Sequence, residues 1–345
     1  LLVLVSSFIW LAPSLRGQFV YVANGGGSNN VSAYKIGSNG SLTAVAGSPF
    51  AAGNLPSSAA IDRTGGFVYI VNESSSDVSA YKIDSSGALN AVPGSPFPVG
   101  SDPHQMVIDP EGKFAYVVNA ADNNVSAFRI NLDGSLTPIP GSPFNAGRFP
   151  RSLAVDSEAK FIYVANEVDN TISVYRINSE GGLAPVPGSP FGAGIGPFAV
   201  AVDRMNKFVY AVNEGGNNVS AYQINSDGTL TAIAGSPFPT ETEPVSIAAH
   251  PIGNFCYVTN QVSNSISAYR IGSDGALTPI SGSPFRTGVE PVSIAVDPTG
   301  RFAYAANKFT HNVSGYQVDK NGILTPLIDA PFPAGSAPDS VVISR

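Results

Sequence analysis

The sequence predicts an all-β fold: a seven-bladed β-propeller with four antiparallel strands per blade, closed by the C-terminal strand in the first blade. Three observations predict it. The tetrapeptide Tyr21-Val22-Ala23-Asn24 returns six more times in varied form. Its Asn stands at 24, 72, 119, 166, 213, 260 and 307, a first step of 48 residues and five of 47. A period of this length, among short β runs and Gly/Pro/Asn turns, marks one supersecondary unit repeated, and four short strands per copy make a propeller blade. Finally, the first copy lacks the strand that precedes the tetrapeptide elsewhere, while the chain end carries a spare one, Pro338 to Ser344. Pairing that spare strand beside Phe19 closes the ring and removes its open sheet edges.

The last full repeat shows each element in order. Pro291 to Asp297 is a short apolar first strand, turned by Pro298-Thr299-Gly300. Phe302 to Asn307 is the second strand, and Asn312 to Val318 alternates as the third. Asn321-Gly322 is a hairpin turn, because both residues tolerate positive φ. Leu324 to Phe332 reads as a single fourth strand, placed at the outer edge by prolines that a central strand could not accept. Its Gly-Ser-Pro-Phe motif begins at Gly47, Gly94, Gly141, Gly188, Gly235 and Gly282, and becomes Asp329-Ala330-Pro331-Phe332 in the last copy.

Composition narrows the function classes. The chain is 43% hydrophobic and only 12% charged, with a formal net charge of −7 and no basic cluster. Nucleic acid is therefore not an expected partner, since it demands a positive footprint. Cys256 is the single cysteine, set in an apolar run, and reads as a buried inert thiol. Residues 1–16 open on an apolar run, Leu1 to Ala12, too short for a bilayer span. That run reads as a truncated export signal with Ala12 and Ser14 in the small-residue positions. Residues 17–345 are then one propeller domain, expected as a periplasmic or secreted monomer without a stable membrane span.

Seven internal copies can be compared with one another. Most columns barely vary, as blade-to-blade packing requires. The residue after the leading proline of the first strand is heterogeneous: Asp339, Ser57, His104, Arg151, Phe198, Val245 and Val292 around the ring. So is the residue after the repeat Asn: Gly25, Glu73, Ala120, Glu167, Glu214, Gln261 and Lys308. The first strand starts, and the antiparallel second strand ends, at one mouth of the central channel, so both columns belong there. Convergent polar groups opposite an apolar wall are how small-molecule sites are built. His104 and Arg151 fall in neighbouring blades, and Glu167 ends the second strand of the Arg151 blade. A base, a fixed cation and a carboxylate can activate water and stabilise an oxyanion. Ser57, Phe198, Glu214 and Asp339 complete the expected substrate-binding set, with Phe198 placed on the facing wall.

Other polar residues read as scaffold. Asp62, Asp109, Asp156, Asp203 and Asp297 end the first strand before turn residues, which suits Asx-turn capping; His250 takes the same slot. His311 reads as a solvated loop residue. Asp-Gly at Asp133, Asp227 and Asp274 are hairpin turns without calcium-loop spacing. The Asn-Val-Ser triplets at Asn30, Asn124, Asn218 and Asn312 are products of the repeat. The chain carries no nucleophile elbow, phosphate loop or Cys/His zinc spacing, so neither metal nor cofactor is expected.

The unit Asp-Pro-x-Gly-Lys/Arg-Phe-x-Tyr-Val-x-Asn, seen at Asp109 to Asn119 and in close variant at Asp297 to Asn307, resembles the YVTN repeat and the seven-bladed lactonase family. That family includes 6-phosphogluconolactonases and fungal carboxymuconate cycloisomerases. The resemblance covers Phe19 to Ser344. Its Pro-His motif is matched by Pro103-His104, and its Pro-Arg-His-Leu and Asn-Glu by Pro150-Arg151-Ser152-Leu153 and Asn166-Glu167. The resemblance thus implies catalytic roles for His104, Arg151 and Glu167. Two departures stand out: Ser152 replaces the second His, and Asn213-Glu214-Gly215 stands where the family has Asn-Arg-Gly. A carboxylate in place of a cation points away from a multiply anionic substrate. The expected function is hydrolysis of a small, neutral or weakly charged sugar lactone. His104 would act as base, Arg151 as oxyanion donor and Glu167 as the group orienting Arg151 or the water. The alternative is a non-catalytic cell-surface or secreted YVTN propeller serving as a binding or adhesion platform. Convergence of the three side chains within one substrate's reach discriminates the two.

Overall fold

The apolar second strands of the repeat dictate the architecture. Val20 to Ala23 and their equivalents have no solvent exposure on either face, so each blade must be covered on both sides by a neighbour. The computed structural model describes residues 18–344 and shows seven blades, each an antiparallel sheet ordered first, second, third, fourth strand from the channel outward. We number the blades from the one containing Phe19–Asn24. The apolar run Leu1 to Ala12, expected as an export signal, lies outside the described residues. No helix among them is long and apolar enough to cross a membrane.

Pro338–Ile343 is the innermost strand of blade 1 and pairs antiparallel with Phe19–Asn24, Val20 opposite Ile343 and Val22 opposite Val341. Ser344 tightens the seam: its Oγ accepts from Phe19 N at 2.8 Å and its N–H donates to Phe19 O at 2.8 Å. The core is divided into seven apolar clusters, each shared by two adjacent blades. One joins Tyr304 and Val313 of blade 7 to Val20, Val22 and Val341 of blade 1.

Buried polar groups explain why other columns repeat. Asn119 is fully buried; its Nδ2 donates to Asn124 Oδ1 (2.7 Å) and Ser126 Oγ (2.8 Å), and its Oδ1 accepts from Gly100 N (3.1 Å). A side chain lacking either function would leave buried groups unpaired. In every blade but the fourth, where Tyr163 Oη finds no partner among the described residues, the second-strand Tyr reaches the next blade's hairpin turn, as Tyr21 Oη does to Gly87 O at 2.9 Å. Gly87 has φ +88°, and a Cβ there would fall 2.3 Å from the Phe19 ring, so only glycine fits. Third-strand tyrosines reach the preceding blade, Tyr175 to Asn145 O and Tyr269 to Pro239 O at 2.6 Å each.

The fourth strand departs from expectation. It is broken into two short pieces that both pair with the third strand, Leu324–Pro326 and Phe332–Pro333 in blade 7. In blades 1 to 6 the Ser-Pro turn between the pieces supplies the reason. Ser142 Oγ accepts Ala127 N at 2.8 Å, so a side chain satisfies the third strand where the ladder lapses. In blade 7 this Ser is Ala330.

Candidate functional site

Every first strand begins with the same irregularity. In blade 3, Pro103 pairs with Asn119 and Gln105 with Val118, so His104 is left out of the ladder. Ser57, Arg151, Phe198, Val245 and Val292 are skipped in the same way, as is Asp339. A bulge re-aims the side chain it releases, and this one delivers all seven into the channel mouth. The residue before each proline has positive φ, for example Leu55, Asp102 and Phe149 at 55°, 55° and 56°. Its carbonyl accepts the N–H of the residue after the repeat Asn, as Phe149 O does from Glu167 N at 3.0 Å. Both variable columns are thereby stapled side by side on one repeated backbone.

The mouth encloses a cavity of about 360 Å³. Ser57, Glu73, His104, Arg151, Lys308 and Asp339 line one sector of it, and Phe198, Val245 and Val292 another. His104 and Arg151 touch, Nε2 to Nη1 at 2.7 Å, and Glu167 accepts from Arg151 Nε. The three residues singled out as catalytic are therefore brought together. Glu167, however, does not line the cavity; it holds Arg151 from the side. Glu214 does not line it either, although Glu167 and Arg151 both act on its charge. Phe198 is not on the facing wall: its ring centroid lies 5.1 Å from Arg151 Cζ, because it occupies the next blade. Phe149 lies at 4.5 Å from the same carbon, so the guanidinium is flanked by aromatic rings and has little freedom to rotate. Ser57 Oγ makes only long contacts to Pro103 O and His104 O, 3.3 and 3.4 Å.

Glu73 and Lys308 were placed at this mouth by their column but not picked out from it. Lys308 Nζ pairs with Asp339 Oδ1 at 2.6 Å. Burial pushes the Asp339 carboxyl up, and Lys308 pulls it back. Glu73 Oε2 lies 3.8 Å from His104 Nδ1. Burial, then the charges of Asp102 and Asp339, push its carboxyl above the ordinary range. His104 is driven the other way: burial, then Arg151, bring it down to about 4, against Asp102 and Glu167. Its ring is neutral at neutral pH. Glu73, Asp102 and His104 could each turn one atom to a cation, all within 4.8 Å of one another, but Arg151 already sets a positive charge against that imidazole.

The residues read as scaffold are bound as scaffold. Asp109 Oδ1 accepts Lys113 N (2.6 Å) and Phe114 N (2.8 Å), and Asp156, Asp203 and Asp297 repeat this. His250 Nδ1 accepts Gly253 N at 2.7 Å in the same turn. Ser152 Oγ accepts Val200 N of the next blade at 3.1 Å. His311 is exposed but not merely solvated: its Nδ1 accepts Ala337 N at 2.9 Å, the place taken by Asn123 toward Phe149. Cys256 is fully buried, its thiol pushed up to about 12 by burial.

The family description "Lactonase, 7-bladed beta-propeller" matches residues 5–233 and 172–341. No curated protein matches the sequence. Solved structures share the fold at low identity. A candidate 6-phosphogluconolactonase from Bacteroides fragilis is 20% identical, with a TM-score of 0.85 over 97% of this chain and 100% of that one. A second from Bacteroides uniformis is 19% identical, with a TM-score of 0.84 over 95% and 99%. The periplasmic gluconolactonase of Pseudomonas aeruginosa is 17% identical, with a TM-score of 0.81 over 95% and 99%.

Proposed function

Since the chain belongs to the seven-bladed β-propeller lactonase family, we propose that it hydrolyses a small, neutral or weakly charged lactone at this mouth. The observation that carries the reading is the contact of Arg151 with His104, beside a cavity with an apolar wall. Arg151 is always charged, and its Nε is committed to Glu167. Its outer N–H groups are the donors for the oxyanion that forms when water adds to the lactone carbonyl. Glu167 is a positioning residue in this scheme.

The base is Glu73 rather than His104. A guanidinium can only donate, so His104 Nε2 must accept from Arg151 and the neutral ring carries its proton on Nδ1. His104 then has no lone pair to spare and offers Nδ1–H toward Glu73. Asp339 is occupied by Lys308, whereas Glu73 lines the cavity with no cation paired to it, the neutral His104 and the Asp102 carboxylate standing beside it. Water attacks the carbonyl carbon and passes a proton to Glu73. The ring C–O bond then breaks and that proton goes to the departing ring oxygen, leaving a hydroxy acid. Around Arg151 and Lys308 stand Glu73, Asp102, Glu167, Glu214 and Asp339. Such an excess of carboxylates repels a phosphorylated substrate.

The test is a panel of neutral and phosphorylated sugar lactones, with acid release followed against pH. Neutral lactones should turn over faster, and kcat/KM should fall with acid through a limb above the ordinary carboxylate value, because Glu73 must be ionised. Glu73→Gln should abolish that limb and most of the rate. A limb that survives in Glu73→Gln returns the base role to His104. No turnover beyond the uncatalysed rate would leave the non-catalytic platform.

A further inference from the structure

The mouth has an outer ring above the two variable columns. It is formed by the residue two before each leading proline and the residue two after each repeat Asn. Backbone hydrogen bonds join these positions, such as Phe309 N to Val289 O at 3.2 Å and Val168 N to Arg148 O at 3.3 Å. In blades 1 to 3 the outer ring is small or polar: Ser336 and Gly26, Asn54 and Ser74, Ser101 and Ala121. In blades 4 to 7 it carries, beside Arg148, Gly215 and Thr242, the apolar Val168, Ile195, Val262, Val289 and Phe309, whose exposure runs from 38% for Val289 to 67% for Ile195 and Phe309. Directly inside, blades 5 to 7 supply Phe198, Val245 and Val292 to the cavity wall. Large apolar side chains thus gather on the same side of the ring at both levels. The other strongly exposed large apolar side chains, Leu132, Met205, Ile252 and Ile328, lie at the opposite mouth or the outer edge.

We infer that this apolar sector is a second subsite, and that the substrate is a lactone bearing an apolar alkyl or aryl substituent which runs from the cavity over the lip. The inference rests on the lactonase reading for the ring and adds what the ring carries. Glu73, His104, Arg151 and Asp339 come from blades 1 to 4, so a lactone ring held among them turns its substituent toward the apolar side chains of blades 5 to 7, beside which Gln261 and Lys308 also reach the cavity. Apolar side chains exposed on consecutive copies of one repeat, where the other copies are polar, need an apolar occupant to leave water. Continuity with the cavity wall makes the substituent of the cavity's own ligand that occupant.

The experiment uses two matched series with n-alkyl chains of increasing length. Lactones are followed by turnover, and the corresponding lactams, which resist hydrolysis, by calorimetric affinity. Both kcat/KM and affinity should rise about two- to four-fold per methylene until the lip is passed. The slope should flatten in Phe309→Ser and Ile195→Ser, whose exposed side chains are not needed for the core, and should stay as in the parent in Ser74→Ala on the polar arc. If no lactone turns over, the hydrolase reading fails while the lactam series still decides the subsite. Lactams that do not bind, or bind independently of chain length, overturn the inference. So does a Phe309→Ser protein that keeps the slope but changes its mass in solution, since the lip would then be a contact between copies.

Discussion

The two mouths of the channel are built from the same repeat and look alike by coarse measures. Each has a cavity, about 360 Å³ at one end and about 390 Å³ at the other, and each has carboxylates in its wall, Glu73 and Asp339 at one and Asp62, Asp109 and Asp203 at the other. They differ in what the carboxylates are doing. At the far mouth Asp62, Asp109 and Asp203 spend their oxygens on backbone N–H groups of the turn that follows. At the near mouth the side chains on the bulge differ from blade to blade, and Glu73 has no backbone partner to satisfy. Cavity size and acidity therefore do not mark a site in a repeat protein. Unspent polar groups at positions where the copies disagree do.

The comparison breaks first if the near mouth has no chemistry to lose. Arg151→Lys should lower kcat about 10²–10³-fold, the cost of removing one oxyanion donor, with a smaller change in KM. Lysine keeps the charge but cannot hold Glu167, His104 and a substrate oxygen at once from one planar fork. Steady-state kinetics on the best lactone would show it. A rise in KM alone would make Arg151 a binding residue only.

At the far mouth the expected loss is stability without activity. Asp109→Ala leaves Lys113 N and Phe114 N without their acceptor, a cost of about 1–3 kcal/mol, read as a lower urea midpoint at unchanged kcat/KM. Asp109→Asn keeps an acceptor oxygen and should recover most of that loss. If Asn were as damaging as Ala, the charge rather than the cap would be what the turn requires.

Much of this contrast is legible in the amino-acid sequence. The period gave the blade count, the missing first strand gave the closure, and disagreement among copies isolated His104, Arg151 and Glu167. The columns identify which mouth a side chain faces, because the bulge after each proline is a local backbone property repeated seven times. They do not say which neighbour a side chain leans on. The columns therefore place Phe198 opposite Arg151, whereas it packs beside it, and they do not distinguish Glu73 from the other variable rim residues. The broken fourth strand escaped for a related reason. Its prolines marked an edge, but the hydroxyl that replaces the ladder bond sits fifteen residues from its donor, as Ser142 does from Ala127.

The smallest expected effect sharpens the comparison most, because it sets two carboxylates against each other. Burial and neighbouring acids raise the Glu73 carboxyl above its unfolded value of 4.5 in the folded chain. The folded state then holds that proton more tightly than the unfolded one, so stability is lost as pH rises from about the unfolded value through the raised one. Above that window the ionised carboxylate is a standing cost, and below it the cost is absent. Glu73→Gln should therefore raise Tm slightly at pH 8, and the gain should vanish as pH falls toward 4.5. Burial raises the Asp109 carboxyl as well, but removing it also strips the acceptor from Lys113 N and Phe114 N, so Asp109→Ala lowers stability where Glu73→Gln does not. A carboxylate whose removal stabilises the fold is one the scaffold does not need, as expected of a group kept for chemistry. If Glu73→Gln instead lowered Tm at pH 8, Glu73 would belong with the turn caps, and the base would have to be sought elsewhere on the rim.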